Sequence, residues 1–324
     1  PMPVVGAGKV SVLMGHPNFA HHLWNELPAL YAIAESGDFA SRALDITTIY
    51  EPLLPIANIA ESLDVTLRRV LCFDQVSGFQ SEMVTRLGST QISGSLRKKI
   101  VRMVQQRASN HLQSLLQNCS PVFWLSLRLD ARTADNQCEF ISALITRLSA
   151  YYPLAGFFLD GFSYPDDFGH PVYGLGGDQQ QGAPGVNERL AGASLAAAMR
   201  SRESDISAAI NTLRQQLPAA LMDSVINVSG MSLTDAVFLA GKADYYVCHT
   251  GTLQHKIAWL HNKPGVVHAN TVGLQAGAAS WLADQLQGGL VPTLIAQHLV
   301  ADLETIRSKN QVSRNCDYHF LDVD

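Results

Sequence analysis

The run ADYYVCHTGTLQHK, residues 243–256, constrains the fold of this chain more than any other stretch. It reads as a buried strand that ends in a small polar turn and passes at once into the first turn of a helix. A strand-to-helix turn built from Thr250, Gly251 and Thr252 leaves backbone N–H groups and a helix N-terminus facing outward, an arrangement that binds anions. His249, His255 and Lys256 can crowd the same mouth, which makes it a place to hold a nucleotide phosphate. A strand-helix connection with a capping threonine is the simpler alternative.

The rest of the chain repeats this grammar. KVSVLMG at residues 9–15 is a short β-type run closed by glycine, followed by His16, Pro17 and a helical pattern carrying Phe19, Leu23, Leu27, Leu30 and Ile33. Further strands are expected at residues 46–50, 70–73, 121–127, 154–159, 225–228 and 265–268. Helices are expected at residues 95–117, 136–151 and 187–216, with another opening at Ser232 as N-cap. Strands alternating with helices argue for an α/β architecture with mostly parallel sheets. At 324 residues, 47% hydrophobic and 16% charged, the chain has material for two domains with sizeable cores. The boundary is expected near residues 118–121, giving lobes at 1–119 and 120–324, with the C-terminal segment free to pack back on the first lobe. Ligands in such two-lobed folds bind where strands end and helices begin, in the crevice between lobes. Residues 164–185, rich in Gly, Pro, Asp and Gln, read as a long binding loop or lid.

A net charge of −5 argues against a general nucleic-acid binder. Arg97, Lys98, Lys99 and Arg102 do gather on one amphipathic helix, either as a solvated face or as a contact with an anionic membrane or polyanionic acceptor. The five cysteines lack CxxC spacing and lie mostly beside apolar residues, as reduced core cysteines of a cytoplasmic protein do. No apolar run is long enough for a membrane span and no signal-peptide pattern opens the chain, so a cytoplasmic location, with peripheral contact to the inner face of a membrane, is expected. The opening PMP suggests an excised domain with flanking segments missing.

Three constellations carry chemistry. In NFAHHLWNELP, residues 18–28, a helix beginning near Pro17 aligns Asn18, His22 and Glu26 at i, i+4 spacing, with His21 and Asn25 on a neighbouring face. Histidine beside a carboxylate at a strand's C-terminal end can serve as a general base, so His21, His22 and Glu26 are catalytic candidates. No third ligand at zinc spacing accompanies them, and no metal site is expected. After the strand at 121–127, Arg128 and Arg132 can fork onto phosphate oxygens, or Arg128 can pair with Asp130 or Asp135. Asp160 ends a strand and is an open candidate. Asp166 and Asp167 sit in the long loop and read as turn residues. The GxGxxG and P-loop fingerprints are absent.

Taken in order, three segments resemble the signatures of glycosyltransferase family 61: residues 18–30 (NFAHHL…LPAL), residues 126–137 (Ser126, Arg128, Arg132, Asn136, Gln137) and residues 243–253 (AD…HTGTL). Thr250 stands where that family usually has glycine, and Gln137 where it has glutamate. The resemblance implies a GT-B-type enzyme with two Rossmann-like lobes that moves a sugar from a nucleotide-activated donor to a glycan or glycolipid hydroxyl, as in polysaccharide biosynthesis. It implies metal independence, with which the lack of a D-x-D motif agrees, and no tightly bound cofactor beyond a UDP-, GDP- or CMP-linked donor. The base would be His21 or His22. Arg128, Arg132, Thr250, Gly251, Thr252 and Lys256 would meet the phosphates, and His249 and His268 would line the nucleoside pocket. A nucleotide-sugar epimerase on the same fold and a non-catalytic nucleotide- or sugar-binding domain of a larger polymerase are the alternatives.

Overall fold

The computed structural model describes residues 10–36, 44–71, 83–89, 91–129, 132–175, 194–275, 286–303 and 316–323. The chain forms two compact units, Pro1–Lys99 with Tyr164–Met199, and Ile100–Ser163 with Arg200–Asp324.

In the first unit, β1 (Val10–Met14) leads through α1 (Phe19–His21) and a π-helical turn (His22–Glu26) into α2 (Leu27–Ser36). Then come β2 (Leu44–Thr48), α3 (Ile56–Ile59), β3 (Val65–Arg69), β4 (Met83–Arg86) and the start of α4 (Gly94–Arg107). The four strands are parallel in the order β3-β2-β1-β4. Val12, Met14 and Ile46 are buried, as are Leu23, Leu27 and Leu30 of the helical segment. Each such side chain contributes roughly 1.5–3 kcal/mol by leaving water.

The second unit holds β5 (Val122–Ser126), α5 (Gln137–Tyr151), β6 (Gly156–Asp160), α6 (Leu195–Gln216, its first residues in the other unit) and β7 (Val225–Asn227). There follow α7 (Leu233–Lys242), β8 (Tyr245–His249), α8 (Thr252–His261), β9 (Gly265–His268), α9 (Thr271–Leu274) and β10 (Thr293–Leu294). Six parallel strands lie in the order β10-β9-β8-β5-β6-β7. Every residue of β5 and β6 is buried, the pattern of central parallel strands covered on both faces. Phe123, Leu125, Phe157 and Leu159 pack there against Ile141 and Ile145 of α5 and Ile206, Ile210 and Leu213 of α6.

Both sheets carry the Rossmann strand order, so the fold is the α/β, mostly parallel, two-lobed class expected. In the first sheet the order reverses between β1 and β4, in the second between β5 and β8. All strands of the first sheet precede residue 119 and all of the second follow residue 121, while residues 164–199 belong to the first compact unit.

Several expected elements differ. The strand expected at 70–73 is instead β3, five residues earlier; it lies at a sheet edge with Thr66, Leu67 and Arg68 exposed, so it lacks the apolar run of a central strand. The remainder of that expected strand, including Cys72, lies outside the described residues. β4 was not expected. The helix expected at 95–117 ends at Arg107, where Ser109 and Asn110 favour a turn and a 3-10 segment, Asn110–Ser114, follows. The helix expected from 187 is described only from Leu195, with the Ser194 hydroxyl accepting the Ala197 N–H at 3.1 Å. The C-terminal segment is built into the second unit. β11 (Val300–Asp302) and β12 (Tyr318–Phe320) form an antiparallel pair, and Tyr318 and Phe320 pack with Ala134, Ala269 and Leu274. Among the described residues no helix is long and apolar enough to cross a membrane.

Of residues 164–185, the described part runs to 175. Val172 and Tyr173 are buried against Ile49, Tyr50 and Val70. Asp166 and Asp167 accept the backbone N–H groups of Leu54 and Glu51, and Asp167 also meets Arg69 and the Tyr173 hydroxyl. These two carboxylates therefore tie a distant backbone segment in place instead of shaping their own turn.

Candidate functional site

The second unit places its polar residues where strand order reverses. β5 ends at Ser126, followed by Arg128; β8 ends at His249, followed by Thr250 and Gly251. Ligands of open α/β sheets bind outside the carboxyl ends of the strands at this point. Gly251 has φ 115° and ψ −150°, a region essentially reserved for glycine, and the ten-residue helix α8 begins at the next residue. Its N–H donates to Gln254 Oε1 at 3.2 Å. An ideal Cβ on Gly251 would stand 3.9 Å from Nη1 of Arg128, so the guanidinium lies against the N-terminus of α8. The Thr250 N–H is taken by the carbonyl of His268 at 3.0 Å. The Thr252 side chain lies outside the described residues.

Arg128 is held by its backbone. Gln137, buried at the start of α5, accepts the Arg128 N–H at 2.9 Å through Oε1 and donates through Nε2 to the Arg128 carbonyl at 2.6 Å. Asn136 does the same for Phe320, at 3.0 Å in each direction. A carboxylate at 137 could accept but not donate. Gln137→Glu is expected to loosen Arg128 and lower unfolding stability by about 1–3 kcal/mol, the cost of opposing two buried acceptors, read by denaturant titration. Unchanged stability would remove the clamp from this account.

Arg132 has φ 71°, and its buried Nε has no hydrogen-bond partner among the described residues. Asp130 lies outside the described residues. His249 is buried, donates from Nδ1 to the Thr250 carbonyl at 2.5 Å, and keeps on Nε2 a lone pair that has no partner among the described residues. Burial, then the charges of Arg128, His268 and Arg132, hold its pKa well below the usual histidine value. His268 is buried among Phe140, Tyr318 and Phe320, hydrogen-bonds the Tyr318 hydroxyl at 2.5 Å, and is lowered by burial to about 3. Both rings are thus neutral in the folded state. An unfolded histidine protonates near 6.5, so the unfolded chain takes up more protons as the solution acidifies. Stability is expected to be full above about pH 6.5 and to fall as pH drops toward 3, measurable as a declining urea midpoint. A midpoint flat from pH 7 to 4 would mean these rings are solvated.

Lys256 departs from expectation. It is 3% exposed, and its ammonium donates to both oxygens of the fully buried Asp160 at 2.6 and 2.8 Å and to the Ser163 hydroxyl at 2.9 Å. Its three N–H groups are spent beneath the turn, fastening α8 to the end of β6. Asp160, the open candidate, is its partner. His255 stacks on Trp259 with ring centres 3.4 Å apart.

In the first unit the candidate residues gather at the end of β1, again beside the reversal of strand order. Gly15 turns the chain at φ 144°, and the Asn18 side chain caps α1 by accepting the Ala20 N–H at 2.8 Å. The π-helical turn His22–Glu26 precedes Pro28, which lacks the N–H that would meet the Trp24 carbonyl and whose ring would strike it; widening the helix relieves the conflict. His22 is fully buried, with Nδ1 2.9 Å from Glu26 Oε2 and, among the described residues, no partner for Nε2. Glu26 also accepts the N–H groups of Gly15 at 2.8 Å and His16 at 3.2 Å. Burial raises the Glu26 pKa, but the hydrogen bond and charge of His22 and the two backbone donors outweigh it, and the net shift is downward.

His21 is exposed, with Nδ1 3.0 Å from Asn25 Oδ1, while Asn25 Nδ2 donates to the Ser89 carbonyl at 2.8 Å. The expected faces are present, His22 with Glu26 and His21 with Asn25, but Asn18 is a cap. His16, grouped by the sequence with His21 and His22, does belong to this cluster: its ring centre lies 4.3 Å from that of His21. Of the basic helix, Lys98 and Arg102 are exposed, whereas Lys99 is bound to Glu61 at 2.7 Å. Among the described residues, no group of three or more His, Cys, Asp or Glu is placed to hold a metal ion.

The chain matches no known sequence family and no curated protein. Solved structures of low identity are similar to it. One is the glycosyl transferase family 9 protein from Veillonella parvula, 7% identical, covering 81% of this chain and 80% of that one, with a TM-score of 0.41. Another is the UDP-GlcNAc 2-epimerase of Methanocaldococcus jannaschii in complex with UDP-GlcNAc and UDP, 9% identical over 89% of both chains, with a TM-score of 0.36. A third is S. aureus MnaA with UDP, 9% identical over 80% of this chain and 78% of that one, with a TM-score of 0.35.

Proposed function

We propose that this protein is a glycosyltransferase that moves a sugar from a nucleotide-activated donor to a hydroxyl of a glycan or glycolipid. The observation that carries this reading is Arg128, clamped by Gln137 and held against the glycine-led N-terminus of α8 where strand order reverses. A guanidinium beside a helix N-terminus suits a diphosphate, whose charge grows as the sugar departs. The N–H groups of Thr250 and Gly251 are spent on His268 and Gln254, so the phosphate would meet the α8 N-terminus from Thr252 onward, with Arg132 adding charge. Lys256 acts as a positioning residue through Asp160.

The first unit supplies the acceptor chemistry. His21 takes the proton of the acceptor hydroxyl on Nε2, the hydroxyl oxygen bonds to the anomeric carbon, and the bond from that carbon to the phosphate oxygen breaks, its electron pair leaving with the phosphate. His22 and Glu26 brace the turn between β1 and α1.

Calorimetric titration with UDP, GDP and CMP tests the donor half. One of these is expected to bind the full chain, and Arg128→Ala to weaken it by about 1.5–3 kcal/mol, roughly 10- to 150-fold. Equal affinity in the variant, or no binding of any of the three, overturns the reading.

A further inference from the structure

Exposed apolar side chains of this chain concentrate at one edge of the second sheet. Among the described residues nine large apolar side chains are exposed, and six of them, Tyr151, Tyr152, Leu154, Tyr245, Leu290 and Val291, border the N-terminal ends of its strands. Tyr151 ends α5, and Tyr152 and Leu154 join it to β6; Tyr245 opens β8; Leu290 and Val291 lead into β10. All the strands are parallel, so these positions share one edge, opposite the turns at Arg128 and Gly251. Tyr245 and Tyr152 flank the buried Phe123 ring, with ring centres 5.8 and 6.2 Å from it. The Leu290 N–H donates to Asn262 Oδ1 at 2.7 Å, just past α8, which holds the other flank.

Tyr151 is 75% exposed, Leu154 67% and Val291 60%. The six side chains together keep on the order of 600 Å² of apolar surface in water, the upper end for the largest patch of a typical monomer. With a polar rim around it, such a strip reaches the roughly 800 Å² that each partner of a stable complex buries. The rim here carries both signs. Asp244 and Lys263 stand level on the adjacent strands β8 and β9, each two residues before the paired Tyr246 and Gly265, and Arg147 lies one helical turn before Tyr151. An anionic bilayer selects a basic rim, and a surface of one sign repels its own copy. An apolar centre with a mixed rim is instead complementary to itself. We propose that this edge is the interface of a two-fold homodimer, so the partner it takes is a second copy of this chain. The donor turn of each copy stays open at the other end of its sheet, and the inference does not depend on the donor reading.

Sedimentation equilibrium of the full chain at about 1–100 µM tests this, beside urea midpoints over the same range. The expected result is twice the mass of one chain and a midpoint that rises with protein concentration. Tyr151→Lys with Leu154→Lys sets like charges on both copies, and is expected to weaken the dimer at least about 100-fold and make the midpoint independent of concentration. Leu290→Lys with Val291→Lys, at the other end of the strip, is expected to do the same, and circular dichroism reads the fold of each variant. Leu321→Lys, at an exposed apolar position outside the strip, is expected to remain dimeric. A parent chain that is monomeric throughout, a dimer that both paired variants leave intact in folded chains, or equal loss in Leu321→Lys overturns the proposal. So does a monomeric parent that floats with phosphatidylcholine–phosphatidylserine vesicles, which would assign the strip to a lipid surface. UDP, GDP and CMP titrations of the same samples separate the two readings. A dimer that binds none of them overturns the donor reading alone, whereas a monomer that binds one overturns this inference alone.

Discussion

His21→Ala is expected to lower transfer about 10²- to 10⁴-fold, the range for loss of a general base, while nucleotide affinity and unfolding stability stay near those of the parent chain. The side chain is exposed and its one hydrogen bond joins it to Asn25, so its removal disturbs little of the fold. His22→Ala makes the contrast. His22 is fully buried and bonded to Glu26, and that carboxylate also anchors the N–H groups of Gly15 and His16. Its loss is expected to appear first as lowered stability. Steady-state kinetics with a panel of nucleotide sugars, run beside denaturant titrations, distinguishes the two. If His21→Ala retains full turnover, or if His22→Ala alone abolishes it in a chain that remains folded, the base has been assigned to the wrong histidine.

Lys256→Met carries the largest expected stability change, about 3–5 kcal/mol, because it leaves Asp160 ionised and buried without its partner. The pair is almost entirely removed from water. Paired replacement, Lys256→Met with Asp160→Leu, is expected to recover most of that loss, since similar-sized apolar residues often replace a buried ion pair at little cost. Chemical denaturation of the three variants is sufficient. A single variant as stable as the parent would show that Lys256 reaches solvent and is free to meet a phosphate.

The contrast between Lys256 and Arg128 shows where sequence reading reached its limit. Both were basic residues beside a strand-to-helix turn, and both were assigned to phosphate by that position. Lys256 lies five residues into the run after Gly251, on the helix face that turns inward, where Asp160 awaits it from a strand 96 residues away. Nothing local to residues 243–256 indicates that partner. Gln137 is a similar case. Read linearly it is a departure from a glutamate, yet in three dimensions its amide is the one side chain of that size able both to donate to and accept from the Arg128 backbone. β3, expected five residues too late, and β4, not expected, are the two edge strands of their sheet, where no continuous apolar run marks a strand.

The chain's local chemistry by itself determined the alternation of strands and helices, the central strands of both sheets, and the two turns that carry polar residues. These follow from short-range facts: continuous apolar runs fit strands covered on both faces, and small polar residues or glycine close them. The i, i+4 pairing of His22 with Glu26 and of His21 with Asn25 was likewise a matter of helical spacing. Only the tertiary structure decided that Lys256 is buried in an ion pair, and which histidine is open to solvent. It also decided which nitrogen of each ring carries the proton. Those properties depend on partners far apart in sequence, such as Asp160, Ser89 and Gln137, and a hydrogen bond or a burial exists only once the fold has brought its two sides together.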